Sequence, residues 1–238
     1  MKTLVSTGIT VSSVDYQEKD KIVTVFMLSG EKISMRARGI NAPKAKLKFA
    51  SELFSLCEFE YSDSKNPLLI TATPKHMFWG IRESVEKLYL ACFVLENLAE
   101  SEGDAKFLLA CLSFLEVNEY STKMAVKYIF EVIKHQGFGF SVKSCVKCGN
   151  KLSGLFAFDF DKGGFLCENC GGNEKTSLLK TLQFIADMDI EQLSKIKFSK
   201  QQEIEMLKLL EEHFGASAGK GSGNLRELVK IAESPLLW

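Results

Sequence analysis

The sequence predicts an α+β protein: a five-stranded barrel at the N-terminus, then an all-helical domain carrying an inserted four-cysteine metal module. Three observations predict it. Up to about Thr73 the chain reads as short strands broken by turns, and after Pro74 the apolar period lengthens from two residues to about 3.6. Cys145, Cys148, Cys167 and Cys170 then form a C-x2-C-x18-C-x2-C array. With 238 residues, 46% hydrophobic and 25% charged, the chain is long enough for several modules with cores of their own.

The strands are expected at residues 4–11, 22–28, 33–38, 53–61 and 68–73. Ser29-Gly30-Glu31 marks a hairpin between the second and third, because glycine supplies the positive φ of a tight turn. Strand, hairpin, strand and a longer connection around Asn41-Ala-Pro43 fit an oligonucleotide-binding (OB) barrel, although an SH3-like barrel reads almost the same. From Lys32 to Lys48 the chain carries six basic residues, Lys32, Arg36, Arg38, Lys44, Lys46 and Lys48, and no acidic one. Ser34, Arg36 and Arg38 alternate with Ile33, Met35 and Ala37, which puts both arginines on one side of a strand, and the lysines fill the loop that follows. A solvated face is the ordinary meaning of such a run; the alternation favours a phosphate-binding face. Phe49 and Phe54 are expected in the core.

Lys and Arg number 30, as do Asp and Glu, so net charge is zero. Global attraction to nucleic acid or anionic lipid is excluded, and a polyanion must be held by a local patch. The start, Met1-Lys-Thr-Leu-Val-Ser, has no apolar signal region, and the longest apolar run, residues 88–95, is too short for a bilayer. A cytoplasmic, reducing location is expected, with Cys57, Cys92 and Cys111 as core residues.

In the helical part, Ile81, Val85, Leu88, Cys92 and Leu95 share one helical face. Asp104 is expected to cap a second helix carrying Phe107, Leu108, Cys111 and Leu115. Ser121 or Thr122 caps a third, with Ala125, Tyr128, Ile129, Val132 and Ile133 inward and His135 in a last turn closed by Gly137. Further helices are expected at 178–188, from Ser199 with Gln202 completing a capping box, and at 225–232. The expected segments are 1–76 for the barrel, 77–140 and 174–238 for the helical domain, and 141–173 for the metal module.

Within the module each C-x-x-C turn aims two sulfurs at one point, and Gly149 and Gly171 follow directly. Four protein thiolates leave no open coordination position, so structural zinc is expected; rubredoxin-like iron accepts the same knuckles. A zinc nucleobase deaminase is excluded, since none of His76, His135 or His213 opens an H-x-E. Gly215 to Gly221 falls one residue short of a phosphate loop, lacks its Ser or Thr, and reads as a linker. The acidic pairs Asp159 with Asp161 and Glu211 with Glu212 have no nucleophilic or basic partner at motif spacing, and nothing else suggests catalysis.

These pieces together resemble the RecO family of bacterial recombination mediators. The resemblance rests on Gly8-Ile-Thr-Val, on Asp15-Tyr16-Gln-Glu18-Lys-Asp20-Lys-Ile22-Val-Thr24-Val-Phe26, on Arg38-Gly39 with its basic loop, and on Phe54-Ser55-Leu56. It continues through the helix ending at Gly137 into the cysteine module, and covers about residues 3–172. It implies an OB domain that binds single- and double-stranded DNA, and a helical domain carrying the zinc module. It further implies annealing of strands coated by single-stranded DNA-binding protein, contact with that protein's acidic tail, and loading of RecA with RecR, without turnover. By position, Arg36, Arg38 and the following lysines occupy the family's DNA-binding stretch, which in this chain is less dense in charge. The competing reading is a zinc-ribbon adaptor that binds only proteins.

Overall fold

The computed structural model describes residues 2–174, 178–193 and 197–234. Residues 235–238, the end of the expected last segment, lie outside it. Its strands are β1 (Thr3–Tyr16), β2 (Asp20–Met27), β3 (Lys32–Ala37), β4 (Leu56–Ser62), β5 (Leu69–His76), β6 (Phe156–Asp159) and β7 (Gly164–Cys167). Its helices are α1 (Val85–Glu96), α2 (Glu102–Val117), α3 (Thr122–His135), α4 (Leu178–Asp187), α5 (Ile190–Leu193), α6 (Lys200–Ala218) and α7 (Gly223–Glu233). These elements group into two compact units: residues Met1–Glu83 with Leu98–Asn118, and Ser84–Asn97 with Glu119–Trp238.

The first unit is the barrel. Its strands run antiparallel in the order β3-β2-β1-β4-β5. β1 is long enough to serve two neighbours, pairing with β4 over Thr3–Ile9 and with β2 over Gly8–Tyr16. Gly8 lies at the change of partner, where a Cβ would stand 2.5 Å from the Val25 side chain. A bulge between Thr10 and Ser12 adds to the bend. Closure comes from β3 and β5: the Arg36 N–H donates to the Pro67 carbonyl at 2.9 Å, and Arg36 bridges Leu68 in parallel. One strand shared at a bend, with β3 closing on β5, is the OB topology. Alternate residues Val23, Val25 and Met27 of β2, Met35 and Ala37 of β3, and Cys57, Phe59 and Tyr61 of β4 fill the interior.

Helix α2 belongs to this unit, whereas the expected segments place it in the helical domain. The reason lies in contacts that periodicity does not reveal. Gly30, at φ +103, turns the β2–β3 hairpin, and a Cβ there would fall 2.3 Å from the Glu102 backbone nitrogen. The Lys32 ammonium donates to the Leu98 carbonyl at 3.1 Å, and His76 Nε2 meets the Glu116 carboxylate at 2.5 Å. The N-cap of α2 is Ser101, not Asp104: its hydroxyl oxygen accepts the Asp104 N–H at 3.0 Å, and Asp104 is the third helical residue.

In the second unit, α1 buries Leu90, Ala91, Phe93 and Val94, while Val85 is 58% and Leu88 36% exposed. The expected face is therefore displaced. Residues 88–95 are apolar nearly all round the helix, so packing chose the face, with Phe93 meeting the Phe214 ring of α6 edge-on at 5.4 Å. Ile81 is buried, but in the 3-10 turn Trp79–Ile81 ahead of the helix. α3 buries the five residues expected of it, and Gly137 ends it at φ +80. α6 begins with the expected Ser199–Gln202 capping box but runs through Gly215 to Ala218, so only Gly219 to Ser222 link it to α7. One interior glycine costs about 1 kcal/mol against alanine, less than the packing of the surrounding turns supplies.

The cysteine module docks through aromatic rings. Phe140 lies within 4.8–6.0 Å of Phe130 of α3, Phe158 of β6, Phe165 of β7 and His213 of α6. His213 is 1% exposed and donates from Nε2 to the Phe138 carbonyl at 2.8 Å. Asp159 accepts the Lys162 N–H at 2.9 Å and closes the β6–β7 turn. No described helix is long and apolar enough to cross a membrane.

Candidate nucleic-acid interface and metal centre

The alternation read from β3 holds: Met35 and Ala37 point inward, while Ser34 and Arg36 point outward. The outward residues do not share one fate. Arg36 Nε donates to Asp20 Oδ2 at 2.7 Å, its terminal nitrogen reaches Asp20 at 2.6 Å and Gln17 Oε1 at 2.7 Å, and its guanidinium lies over the Tyr16 ring at 5.0 Å. Asp20 also accepts the Gly39 N–H at 2.8 Å. This charge is matched inside the barrel unit, so Arg36 positions the β1–β2 turn and does not stand free for a phosphate. Lys32 is likewise engaged, with the Leu98 carbonyl and with the Phe26 ring at 5.3 Å. Arg38, Lys44, Lys46 and Lys48 are exposed and form no ion pair among the described residues.

Sequence reasoning missed a groove on the barrel. Its walls are Tyr16, Ile22, Ser34 and Arg36 from the outer face of the barrel and Lys65, Asn66 and Pro67 from the β4–β5 loop, around a volume of about 510 Å³. Lys65-Asn-Pro67 reads in sequence only as a turn, and nothing in the spacing says that barrel closure carries it to β3. Outward faces of the second and third strands, with the loops flanking them, are where OB barrels take oligonucleotides.

The Gly39 N–H, and after it the Arg36 guanidinium, hold the Asp20 carboxyl below its ordinary value of 3.8. A carboxylate with a depressed pKa stabilises the fold fully above the ordinary value, and that contribution is lost as pH falls through the lowered one. Asp20→Asn is therefore expected to lower the urea midpoint of the barrel at neutral pH and to flatten its fall on the acid side. Arg36→Ala is expected to lower stability similarly. A steep acid limb surviving in Asp20→Asn would show that the pair does not support the barrel.

In the module, the four cysteine sulfurs lie within 4.8 Å of one another, and those of Cys148 and Cys167 are 3.7 Å apart. A tetrahedral ion with metal–sulfur bonds of about 2.3 Å separates its sulfurs by roughly 3.8 Å, so the donor set suits such an ion. Gly149 at φ +74 and Gly171 at φ +122 make the turns possible, and the Val146 N–H ties the first knuckle to the Phe165 carbonyl at 2.8 Å. Burial resists ionisation of Cys145, but the backbone N–H groups of Cys167, Cys148 and Lys147 outweigh it and bring that thiol to about 6. Cys170 is pushed up to about 12, first by the Cys148 sulfur and then by burial. Four thiolates at this spacing would repel one another, so all four can be deprotonated together only around a cation.

A closed OB barrel with an exposed cationic loop is accompanied by a helical unit bearing a four-cysteine module. Comparison with known proteins gives the family. Residues 1–71 match the model described as Recombination protein O N terminal, and residues 83–225 the one described as Recombination protein O C terminal. The chain belongs to the RecO family of DNA repair proteins. It is similar to the DNA repair protein RecO of Acetivibrio thermocellus, 29% identical over 75% of this chain and 74% of the relative. The RecO of Syntrophomonas wolfei is 31% identical over 69% of each chain, and that of Alkaliphilus metalliredigens 24% identical over 94% of this chain and 97% of the relative.

Proposed function

We propose that this chain binds single-stranded DNA along the barrel groove and the loop after β3, and brings complementary strands together. The observation that carries this reading is the run of four exposed cations, Arg38, Lys44, Lys46 and Lys48, which form no ion pair among the described residues, together with a groove on the barrel that Lys65 lines. Lysine and arginine release condensed counterions from the backbone and leave base edges free to pair. Annealing follows from lowered repulsion between strands, and duplex DNA is held by the same phosphate contacts. No bond is made or broken, so the protein acts without turnover. The ion of the four thiolates is zinc, closed to water and structural.

In the cell this activity serves recombinational repair at the nucleoid. With RecR as partner, the protein assists RecA onto strands coated by single-stranded DNA-binding protein, whose acidic tail is the contact. Annealing of strands coated by full-length single-stranded DNA-binding protein should proceed readily with this chain, and should slow severely when the coating protein lacks its tail. Equal rates with both coats would remove the tail contact from the mechanism; no annealing of bare strands would remove the function itself.

A further inference from the structure

Trp79 is 57% exposed in the barrel unit, although an indole is among the side chains with most apolar surface to bury. The local backbone holds it outward. Phe78, at φ +46 and 2% exposed, and Ile81, fully buried, anchor the two ends of the 3-10 turn, so the ring between them faces water. Gly80 lets the turn sit against α2, since a Cβ there would stand 2.6 Å from the Glu116 carbonyl oxygen.

Arg82 covers one face of the indole, with its guanidinium 4.6 Å from the ring centroid. That guanidinium is itself clamped, donating to Glu52 Oε2 at 2.8 Å and to the Leu53 carbonyl at 2.7 Å. Glu52 directly follows the 3-10 turn Lys48–Ser51, at whose start stands the last lysine of the cationic loop. At about 2 Å of rise per residue, that lysine lies roughly 8 Å along the turn from the clamp. The barrel unit repeats the arrangement: Tyr16, 41% exposed, lies under Arg36, which Asp20 fixes.

We propose that Trp79 is a stacking platform for an unpaired DNA base, standing at the end of the phosphate track formed by Arg38, Lys44, Lys46 and Lys48. The inference rests on the single-strand-binding reading above and adds what that reading lacks, a preference for unpaired bases. A phosphate track alone holds duplex and single strands alike. Stacking requires a free π-face, tolerates any base, and gains from a ring already held in place. The clamped Arg82 keeps the indole from turning, and its charge strengthens the stack from behind.

The test uses the full chain with Trp238→Phe, which leaves Trp79 as its sole tryptophan. A dT oligonucleotide should quench the emission in step with the rise in anisotropy of the labelled strand. Heparin, a polyanion without bases, should bind without quenching, and duplex of equal length should quench less. Trp79→Ala should weaken dT binding about tenfold, equivalent to roughly 1.4 kcal/mol, while keeping the salt slope, because no phosphate contact is lost. Trp79→Phe should restore part of the affinity. If dT binds with unchanged emission and Trp79→Ala retains full affinity, the ring serves another partner, such as a protein, and the proposal is overturned. If dT does not bind at all, the single-strand reading falls and the platform with it.

Discussion

Removing the metal from the four thiolates is expected to unfold the cysteine module while the barrel stays intact. The module has two strands of four residues each, β6 and β7, and without a cation its sulfurs revert to thiols joined only by weak S–H contacts. Structural zinc supplies on the order of 10–16 kcal/mol of apparent binding energy in small domains, far above what a four-residue hairpin provides. Phe140, Phe158, Phe165 and His213 remain as an aromatic anchor, but their rings pack on one another and on the helices, and only the Phe165 carbonyl reaches a knuckle, through the Val146 N–H. Cys148→Ser, at the exposed ligand, should therefore lose the ion, and amide exchange should accelerate from Cys145 through Cys170 with the barrel still protected. Binding of single-stranded DNA should fall only in part. Protection of the knuckles that survives chelation would refute the structural role; complete loss of DNA binding with a folded barrel would move the interface to the module. Zinc also predicts a colourless solution inert to reduction, where iron would be coloured and redox-active.

The second large effect is on DNA affinity. If Arg38, Lys44, Lys46, Lys48 and Lys65 each neutralise one phosphate, log affinity for single strands falls with log salt at a slope of about -3.5, or roughly a hundredfold between 50 and 200 mM salt. Replacing Arg38, Lys44, Lys46 and Lys48 with alanine leaves Lys65 alone, and the slope should collapse to about -0.7. The four side chains are exposed and form no ion pair among the described residues, so the variant should melt close to the parent. A variant with full affinity and an unchanged slope would place the DNA path on another surface. Arg36→Ala serves as the internal control, because its charge is already matched by Asp20.

Much of this was legible in the chain. The spacing of Cys145, Cys148, Cys167 and Cys170 specified the four-cysteine cluster, because a C-x-x-C turn brings its sulfurs together by local geometry alone. The hairpin at Gly30, the helix stop at Gly137 and the box of Ser199 with Gln202 were equally local, each a matter of a few backbone angles and hydrogen bonds. Asp104 was mistaken for a cap because Ser101, three residues earlier, offers the same oxygen to the same end of the helix. The buried face of α1 was misplaced because an almost wholly apolar helix has no polar side to mark which way it turns.

The sequence by itself determined most of the elements, the four-cysteine set and the concentration of positive charge between Lys32 and Lys48, since all three depend on residues near one another along the chain. Only the tertiary structure decided which of those charges are free. Barrel closure brings Asp20 and Gln17 onto Arg36 and the Leu98 carbonyl onto Lys32, leaves Arg38 and the loop lysines in water, and sets Lys65 across the groove. Whether a cation binds a partner depends on which carboxylates and carbonyls stand within a few ångströms of it, and that distance is a property of the folded chain, not of the order of its residues.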